Sequence, residues 1–472
     1  MTAAPQPADL ALEHLHPALG EDLLTSITFF NEVAGRHPGA LSLAAGSPNE
    51  SRYDVADVHT AIDRFCDYLR EELGYDERRV RRTLLQYGRT KGVVHDLIAR
   101  HLRADEGITV DPEALVVTVG FQEALFLTLR ALRRDHRDAL LAVTPAFVGV
   151  TGAARLLEMP VLPVEAGPRG VDPDCLARTA RAAREAGLRP RACYLVPDFA
   201  NPTGIRVPLG IREELLRTAA AEDILLLEDN PYGLFPLDGA RLPTLKALDT
   251  GRRVVYLGTV SKTVYPGTRV GYVVADQTVA GPGGPRLLAE YLARAKSMVT
   301  VNTSPIAQAV VAGRLLTHGG SLAAANRHEA ESYRLALSQL LNGLARRFPA
   351  ASGVTWTPPD GGFFVTVAVP FDVTDELLAR SAEEFGVLWS PLHHFYSSPG
   401  PLRLIRLSCS ALTAAETDEA LDRFAEFVRA AGRDPAPARL PHAGQTATRP
   451  LPEGRPSAGA EGGTGEKVTG SS

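Results

Sequence analysis

Short apolar runs alternate with longer amphipathic stretches along most of the chain. The apolar runs lie at 114–120, 139–143, 192–197, 224–229, 254–258 and 269–275. Runs of this length, bounded by turn residues and separated by segments of helical spacing, are typical of a mostly parallel sheet with helices on both faces. The pattern therefore predicts a large α/β domain over about residues 50–310.

The pattern changes after a long helical stretch at 285–346. Strand-like runs then alternate with helices predicted near 374–384 and 413–430. Segregated strands and helices predict a smaller α+β domain over 311–433. We expect the N-terminal segment, 1–49, to pack beside it. From residue 434 proline and glycine make up a third of the sequence, which predicts a disordered tail over 434–472.

Composition and charge narrow the class of protein. Hydrophobic residues make up 45% and charged residues 22% of the 472, the mix of an ordinary globular protein. A formal net charge of -5 provides no basic field for nucleic acid or an anionic membrane. The N-terminus does not resemble a signal peptide, and no apolar run reaches membrane-spanning length. The four cysteines show no CxxC spacing, which argues against a disulfide framework and zinc. We expect a cytoplasmic protein.

Lysine is the rare basic residue in this chain. Five of the 50 basic residues are lysines, at positions 91, 246, 262, 296 and 467. Lys262 directly follows a predicted buried strand and precedes a Pro-Gly turn. Ligands of a doubly wound sheet bind at the carboxyl ends of its strands, and partial burial there would free the amine to form a Schiff base. The other four lysines are expected to be surface residues.

Three further motifs follow predicted strands. Asp229 ends the run at 224–229, and Asn201 stands in an Asn-Pro turn after the run at 192–197. Gly120 opens a strand-to-helix junction whose free N–H groups suit a phosphate. Each motif is common by itself. Together with Lys262, at the carboxyl ends of one sheet, they predict a single site.

In combination the motifs resemble the class I/II aminotransferases, pyridoxal-phosphate (PLP) enzymes of fold type I. The resemblance covers about residues 25–430. It rests on Q-Y-G-x-T-x-G (86–92), N-P-T-G (201–204), D-N-P-Y (229–232), S-K-T-x-x-P-G-x-R-x-G-Y (261–272) and I-R-L-S (405–408). It implies a large PLP-binding domain, a small α+β domain, and ping-pong transamination between an amino acid and a 2-oxo acid.

The resemblance also implies roles for residues of this chain. Lys262 would hold PLP as a Schiff base and then move the proton at the substrate Cα. Asp229 would pair with the pyridine nitrogen, and Tyr232 and Asn201 would bind the phenolic oxygen. The phosphate contacts would come from Gly120, Phe121, Gln122, Thr259, Ser261 and Arg269. Phe121 stands where the family commonly has a small hydroxyl residue, so that position would offer its backbone N–H alone.

Further implied residues concern the ring, the substrate and a second subunit. Phe147 would stack on the cofactor ring. Arg406 would bind the substrate α-carboxylate with its guanidinium fork, and Gly46 would lie beside the substrate. Tyr87 resembles the tyrosine that reaches the phosphate of a neighbouring subunit, which implies a homodimer with shared sites.

Two segments bear on the side chain of the substrate. Phe29 stands where members acting on 2-aminoadipate tend to carry arginine, which favours an aromatic or aliphatic substrate; alternatively, Phe29 and Phe30 pack a helix. In the loop 386–398, His394 and its aromatic neighbours either line a pocket or face solvent. No metal is expected there, because adjacent histidines do not easily converge on one ion and no carboxylate or cysteine accompanies them.

The stretches 242–258 and 296–313 resemble the arylglycine aminotransferases of nonribosomal-peptide antibiotic pathways. Those enzymes convert an aryl-glyoxylate to phenylglycine or its hydroxylated forms, with an aromatic amino acid as donor. Three alternatives stay open: a 2-aminoadipate, broad aromatic or branched-chain aminotransferase; a PLP lyase, decarboxylase or oxidase; and a regulator that reads PLP. The last is disfavoured, since the chain shows neither an N-terminal DNA-binding module nor a basic surface.

Overall fold

An eight-stranded sheet and a four-stranded sheet organise the chain in this computed structural model, which describes residues 10–433 apart from 22–23, 25–31, 34, 168 and 397–401. The strands of the described residues are β1 (Leu41–Ser42), β2 (Leu115–Val119), β3 (Asp138–Thr144), β4 (Val161–Gly167), β5 (Gly170–Val171), β6 (Arg189–Leu195), β7 (Leu225–Asp229), β8 (Val254–Thr259), β9 (Val270–Val274), β10 (Thr278–Val279), β11 (Arg286–Leu287), β12 (Thr355–Trp356), β13 (Phe364–Val373), β14 (Val387–Leu388), β15 (Ser390–Pro391) and β16 (Leu402–Ser408).

Helices separate most of these strands. Those of the described residues are α1 (Val55–Asp67), α2 (Glu77–Leu85), α3 (His95–Glu106), α4 (Gly120–Leu132), α5 (Val148–Leu156), α6 (Pro173–Glu185), α7 (Leu209–Ala221), α8 (Leu245–Leu248), α9 (Leu288–Val299), α10 (Pro305–Thr317), α11 (Leu322–Ala325), α12 (Arg327–Arg347), α13 (Asp375–Glu384) and α14 (Ala414–Ala431). Two short 3-10 turns also contribute to the site, Pro266–Thr268 and Leu392–Phe395.

The large sheet has the strand order β2-β9-β8-β7-β6-β3-β4-β5. Strands β8, β7, β6, β3 and β4 pair in parallel, whereas β9 runs antiparallel between β2 and β8. The predicted mostly parallel α/β sheet is thus confirmed. Because β2 runs in the same direction as β8, the carboxyl ends of β2, β6, β7 and β8 lie at one edge of the sheet.

Both faces of this sheet are buried, which explains why its strands are apolar throughout rather than alternating. On β7, Leu227 packs on the face covered by α4, α5 and α9, while Leu226 faces the opposite side with α6 and α7. Helices α1, α3 and α10 cover the rest of that second face. Within the described residues, no helix combines the length and apolar character that a membrane crossing requires.

The small sheet is antiparallel, in the order β12-β13-β16-β15. Helices α12, α13 and α14 supply the apolar side chains of its core. Helix α14 begins with a capping box, in which Thr413 and Glu416 each bond the other's backbone N–H. The helices predicted near 374–384 and 413–430 are confirmed as α13 and α14. Strand β1 pairs in parallel with β14, so chain before residue 50 contacts this part of the molecule.

The domain boundary predicted at residue 310 falls inside α10. The buried Val310, Val311 and Leu315 of this helix pack in the core of the large sheet together with α1. A division at 310 would split one helix and its core contacts. The predicted tail, 434–472, lies outside the described residues.

Candidate active site

A cavity of about 430 Å³ opens at the carboxyl edge of the large sheet. Side chains of the small sheet and the segment after β1 complete its wall. Twelve of the residues singled out in the sequence line it: Gly46, Phe121, Gln122, Phe147, Asn201, Asp229, Tyr232, Thr259, Ser261, Lys262, Arg269 and Arg406. The topology brings these distant positions together because β2, β6, β7 and β8 end at the same edge.

Lys262 carries a desolvated amine three residues after β8 ends. Its Nζ donates a hydrogen bond to the Gly46 carbonyl oxygen at 2.7 Å. The pKa of Lys262 is lowered to about 8, first by burial and then by the cationic Arg406 and Arg269, whereas Asp229 acts in the opposite direction. A larger fraction of neutral amine is therefore present near pH 8 than on an ordinary lysine, as Schiff-base chemistry requires.

Asp229 offers a carboxylate oxygen that nothing in the described structure binds. The Tyr194 hydroxyl donates to its Oδ2 at 2.7 Å, while its buried Oδ1 has no hydrogen-bond partner among the described residues. Burial raises the pKa of Asp229 to about 7, although the bond from Tyr194 and the charge of Lys262 act to lower it. An aromatic N–H placed at Oδ1 would satisfy this oxygen and favour the ionised carboxylate.

The first turn of α4 approaches Arg269 very closely. A Cβ at Gly120, whose φ is +70°, would lie 2.6 Å from an Arg269 guanidinium nitrogen, so a side chain here would fill the contact. A Cβ at Gly271 would meet the Gly120 backbone at 2.6 Å. A helix N-terminus beside a guanidinium is a good site for a phosphate.

Two hydroxyl residues complete this end of the cavity. Thr259 closes β8, and its Oγ1 donates to the Ser261 Oγ at 3.1 Å while accepting from the Ser261 backbone N–H at 3.2 Å. On the other side the rings of Phe121 and Phe147 meet edge to face, with centroids 6.2 Å apart. The cradle therefore combines hydroxyl and guanidinium donors with an aromatic face.

Arg406 is a buried cation that no carboxylate balances among the described residues. Its guanidinium donates to Asn201 Oδ1 at 2.8 Å, to the Ala44 carbonyl oxygen at 2.7 Å and to Ser390 Oγ at 2.9 Å. Its Nε has no partner in the described part of the chain, and burial lowers the pKa of Arg406 to about 10. A buried guanidinium with neutral partners favours binding of an anion.

Aromatic rings surround this arginine. The Phe364 ring centroid lies 4.3 Å and that of Phe395 5.0 Å from the guanidinium carbon. Both line the cavity, together with Leu388 and Trp389. The prediction that the loop 386–398 lines an aromatic pocket thus applies to Trp389 and Phe395 and not to the histidines.

Two residues that contribute to the site, Tyr194 and Phe364, were not predicted from the sequence. Tyr194 occupies an inward position on β6, and its role becomes visible from its contact with Asp229. Phe364 lies on β13, far from the motifs that identify the site. An aromatic residue in a buried strand has the same sequence signature whether it packs in a core or lines a cavity.

Among the described residues, three predicted site residues are absent from the cavity lining: Gly120, Tyr87 and His394. The Tyr87 side chain is 84% exposed on the surface of the chain. The Nε2 of His394 lies 2.9 Å from Asp375 Oδ1, away from the cavity lining. Phe29 lies outside the described residues.

The expectation of surface lysines is wrong for at least two positions. Lys296 is fully buried and donates to Glu123 Oε2 at 2.7 Å, and the buried Lys246 donates to Asp276 Oδ1 at 2.7 Å. Lysine tolerates burial where a carboxylate balances its charge. Lys262 differs from both because its amine bonds a carbonyl oxygen rather than a carboxylate.

The fold and this set of side chains define a PLP-dependent enzyme. The desolvated amine, the carboxylate oxygen without a partner and the phosphate cradle fit the aldehyde, pyridine nitrogen and phosphate of that cofactor. The family of class I and II aminotransferases matches residues 47–424, so the chain belongs to this family. It is therefore a PLP-dependent aminotransferase of fold type I.

Individual relatives agree with this assignment. The (S)-3,5-dihydroxyphenylglycine transaminase of Amycolatopsis orientalis is 50% identical over 90% of this chain and 96% of its own. Kynurenine aminotransferase of Pyrococcus horikoshii, solved with PMP, has a TM-score of 0.73 at 26% identity and covers 85% of this chain and 94% of its own. Alpha-aminoadipate aminotransferase of Thermus thermophilus, complexed with N-(5'-phosphopyridoxyl)-L-leucine, has a TM-score of 0.72 at 28% identity and covers 89% and 98%.

Proposed function

We propose that this aminotransferase transfers an amino group between an aromatic amino acid and an aryl 2-oxo acid, which yields an arylglycine. The observation that carries the proposal is the buried Arg406 guanidinium in an aromatic-walled cavity that also holds Lys262. An arylglycine has one carboxylate for the guanidinium and one ring for the wall. The 50% identity to a dihydroxyphenylglycine transaminase supports this substrate class.

In this proposal Lys262 would hold the cofactor through its Nζ, and Asp229 Oδ1, unpartnered among the described residues, would accept from the pyridine N–H. Tyr232 and Asn201, which line the cavity beside them, bind the phenolic oxygen. Bound PLP supplies a cationic ring that withdraws the electron pair of the substrate Cα–H bond. The contribution of Asp229 is to stabilise that cationic ring by its negative charge, reinforced by the bond from Tyr194.

The phosphate and the ring face complete the cofactor site. The donors proposed for the phosphate are the side chains of Arg269, Thr259 and Ser261 and the backbone N–H groups of Phe121 and Gln122. Gly120 permits Arg269 to approach the helix N-terminus, and Phe147 would supply the aromatic face for the cofactor ring. The cradle thus joins a helix dipole to a fixed positive charge, the pairing that suits a dianion.

Arg406 binds the substrate α-carboxylate through its guanidinium fork. Asn201 Oδ1 and Ser390 Oγ accept hydrogen bonds from two nitrogens of this guanidinium and so hold it in place. The Gly46 carbonyl oxygen accepts a hydrogen bond from Lys262 Nζ. With the carboxylate fixed, Lys262 Nζ moves the proton at the substrate Cα. Its lowered pKa keeps that amine able to accept a proton near neutral pH.

The cavity wall favours an apolar substrate side chain over a second carboxylate. Among the described residues, the basic side chains of the lining are those of Lys262, Arg269 and Arg406, all assigned above. A substrate such as 2-aminoadipate would bury a second anion without a cation, which is unfavourable. We retain Phe29 as a further apolar contact of the substrate within this proposal.

We also propose that the enzyme is a homodimer in which Tyr87 serves the phosphate site of the partner subunit. Exposed apolar side chains near Tyr87 in the sequence and on α9 include Leu85, Met298 and Val299. A Cβ at Gly88 would lie within 4 Å of Asn302, so the two segments adjoin. Apolar exposure of this kind favours burial by another copy. Sedimentation should give a dimer, and Tyr87→Ala should weaken PLP binding.

Two further parts of the proposal concern organisation and setting. We propose a large cofactor domain through α10, a small domain through residue 433, and residues 1–49 as a segment joined to the small one. We place the enzyme in the cytoplasm, in antibiotic biosynthesis, where its arylglycine product would be a peptide building block. Its four cysteines are free, as is usual in a reducing compartment. Cell fractionation tests the location.

The two half-reactions of the proposed transamination are tested separately. Holoenzyme mixed with tyrosine or phenylalanine should lose its PLP absorbance in a single turnover, and phenylglyoxylate or its 3,5-dihydroxy form should restore it. 2-Oxoadipate serves as the matched acceptor with a second carboxylate. If the enzyme turns over 2-oxoadipate and none of the aryl acceptors, the proposed substrate class is wrong, although the enzyme is still a transaminase. Ammonia release or oxygen uptake in place of recovery would point to another PLP reaction.

A further inference from the structure

We propose that Asp375, His393 and His394 form a binding site for a divalent transition-metal ion outside the catalytic cavity. Asp375 is the first residue of α13, and the two histidines lie in the 3-10 turn Leu392–Phe395. The Nε2 atoms of His394 and His393 lie 2.9 Å and 3.3 Å from Asp375 Oδ1. One ligand atom from each residue falls within 4.8 Å of the other two.

These separations suit a shared ion. Ligands held about 2.0–2.1 Å from a tetrahedral zinc are about 3.3 Å apart. The two nitrogen–oxygen distances of 2.9 Å and 3.3 Å are close to this edge length. The ligand atoms of the two histidines lie within 4.8 Å of each other, so side-chain rotation is needed to bring all three atoms around one ion. Two imidazoles and a carboxylate form a borderline donor set that binds Zn²⁺ and neighbouring first-row ions.

The structure corrects the expectation that adjacent histidines do not converge here. In the 3-10 turn the rings of His393 and His394 lie side by side, with centroids 4.3 Å apart and planes inclined by 36°. The carboxylate that is not found in the loop 386–398 is supplied by Asp375, on a helix earlier in the chain. No short sequence motif reports this grouping, because strands β14 and β15 intervene between its two parts.

Access and burial also suit an exchangeable ion. The side chains of His393 and His394 are 22% and 12% exposed, and that of Asp375 is 37% exposed. An ion bound here would therefore have protein ligands on one side and remain accessible to solvent on the other. Three protein ligands leave one tetrahedral position for water.

An ion here would join two elements of the cavity wall. Leu378 on α13 and Phe395 on the turn both line the cavity. Phe395 also packs 5.0 Å from the Arg406 guanidinium carbon. A bound ion would fix the turn that carries Phe395 against α13. The competing explanation is a His–Asp–His hydrogen-bonded cluster that needs no ion.

Zinc binding to tag-free, chelator-treated holoenzyme distinguishes these explanations. We expect one Zn²⁺ per chain, measured by competition with a chromophoric chelator and by elemental analysis after gel filtration. Asp375→Asn, His393→Gln and His394→Gln should each weaken binding by at least about tenfold. His59→Gln, which changes an exposed histidine on α1, is the matched control and should bind as the wild type does.

Folding is followed independently through PLP absorbance and the melting temperature. Saturating Zn²⁺ should raise the melting temperature of the wild-type protein and of His59→Gln, because an ion that binds the native state stabilises it by mass action. Folded His393→Gln and His394→Gln proteins should lose this shift. Zinc binding that is substoichiometric, or that the three site variants leave unchanged, would overturn the metal site in favour of the hydrogen-bonded cluster.

Discussion

Lys296 Nζ donates to Glu123 Oε2 at 2.7 Å, and this buried ion pair stands at the start of the helix proposed to bind the phosphate. The same carboxylate oxygen accepts from the Val119 backbone N–H at 2.6 Å, and Thr300 Oγ1 donates to Oε1 at 2.5 Å. Glu123 thus closes the N-terminus of α4 while Lys296 balances its charge. A phosphate next to this turn then meets the helix dipole rather than a net negative charge.

Lys296→Met should weaken PLP binding by leaving the Glu123 carboxylate without its cation near the phosphate cradle. Breaking a buried pair by removing one partner costs about 3–5 kcal/mol, so the melting temperature should also fall. The double variant Glu123→Gln/Lys296→Met removes both charges and should recover much of the PLP affinity. Spectral titration of apoenzyme with PLP measures each dissociation constant.

Comparing the double variant with Lys296→Met separates the effect of charge on PLP binding from the effect of side-chain packing. If Lys296→Met and the double variant bind PLP equally weakly, the loss comes from disturbed packing, and the electrostatic role of Lys296 is wrong. Glu123→Gln alone keeps an oxygen for the Val119 N–H and should leave Lys296 uncompensated.

Gly120→Ala should disrupt the phosphate cradle. The φ of +70° disfavours alanine, and the new Cβ would lie 2.6 Å from Arg269. We expect PLP affinity to fall at least about tenfold, or about 1.4 kcal/mol. Gly267→Ala is the matched control on the adjacent turn, because a Cβ there meets nothing within 4 Å. Equal affinities of the two variants in a PLP titration would contradict the close contact of Gly120 with Arg269.

The sequence predicted much of the fold because a parallel sheet has strong local signals. Its strands are short apolar runs, and their carboxyl ends must share an edge. The residues that follow those ends, such as Asn201, Asp229 and Lys262, could therefore be grouped before their distances were known. The boundary near 310 stays a prediction, because α10 has the same helical pattern as its neighbours, whichever sheet it covers.

The sequence contains no comparable local signal for contacts between distant elements. Tyr194 bonds Asp229 across neighbouring strands, and Phe364 packs on Arg406 from the small sheet. The carboxylate that balances the charge of Lys296 belongs to Glu123, 173 positions away, so the local sequence does not identify this lysine as buried. Such pairs depend on how the elements pack, which local patterning does not encode.

Uptake of PLP by the apoenzyme should depend on pH through Lys262. The neutral amine is the nucleophile, so the rate should rise as pH increases through about 8, the lowered pKa of this lysine. Arg406→Gln removes a neighbouring cation that disfavours the ammonium form, so the pKa rises and the curve shifts to higher pH. Asp229→Asn removes an anion that favours it, so the curve shifts to lower pH.

Stopped-flow absorbance across pH measures these curves. Arg403→Gln is the matched control, because Arg403 is an exposed arginine on the same strand that pairs with Asp372. Its curve should coincide with that of the wild type. A shift of equal size in Arg403→Gln and Arg406→Gln would mean that net charge, not the local field at Lys262, sets the pKa.

Phe395→Leu should impair aromatic substrates selectively. Leucine keeps an apolar side chain in the cavity wall but removes a ring that faces both the substrate space and Arg406. Aromatic pairs contribute about 0.5–1.5 kcal/mol beyond area burial, so KM for phenylglyoxylate or phenylalanine should rise by up to about tenfold. Alanine, whose methyl group makes no ring contact, should show a much smaller change. Steady-state kinetics with both donors measure the ratio, and an equal rise for alanine and phenylalanine would assign Phe395 to positioning Arg406 rather than to substrate selection.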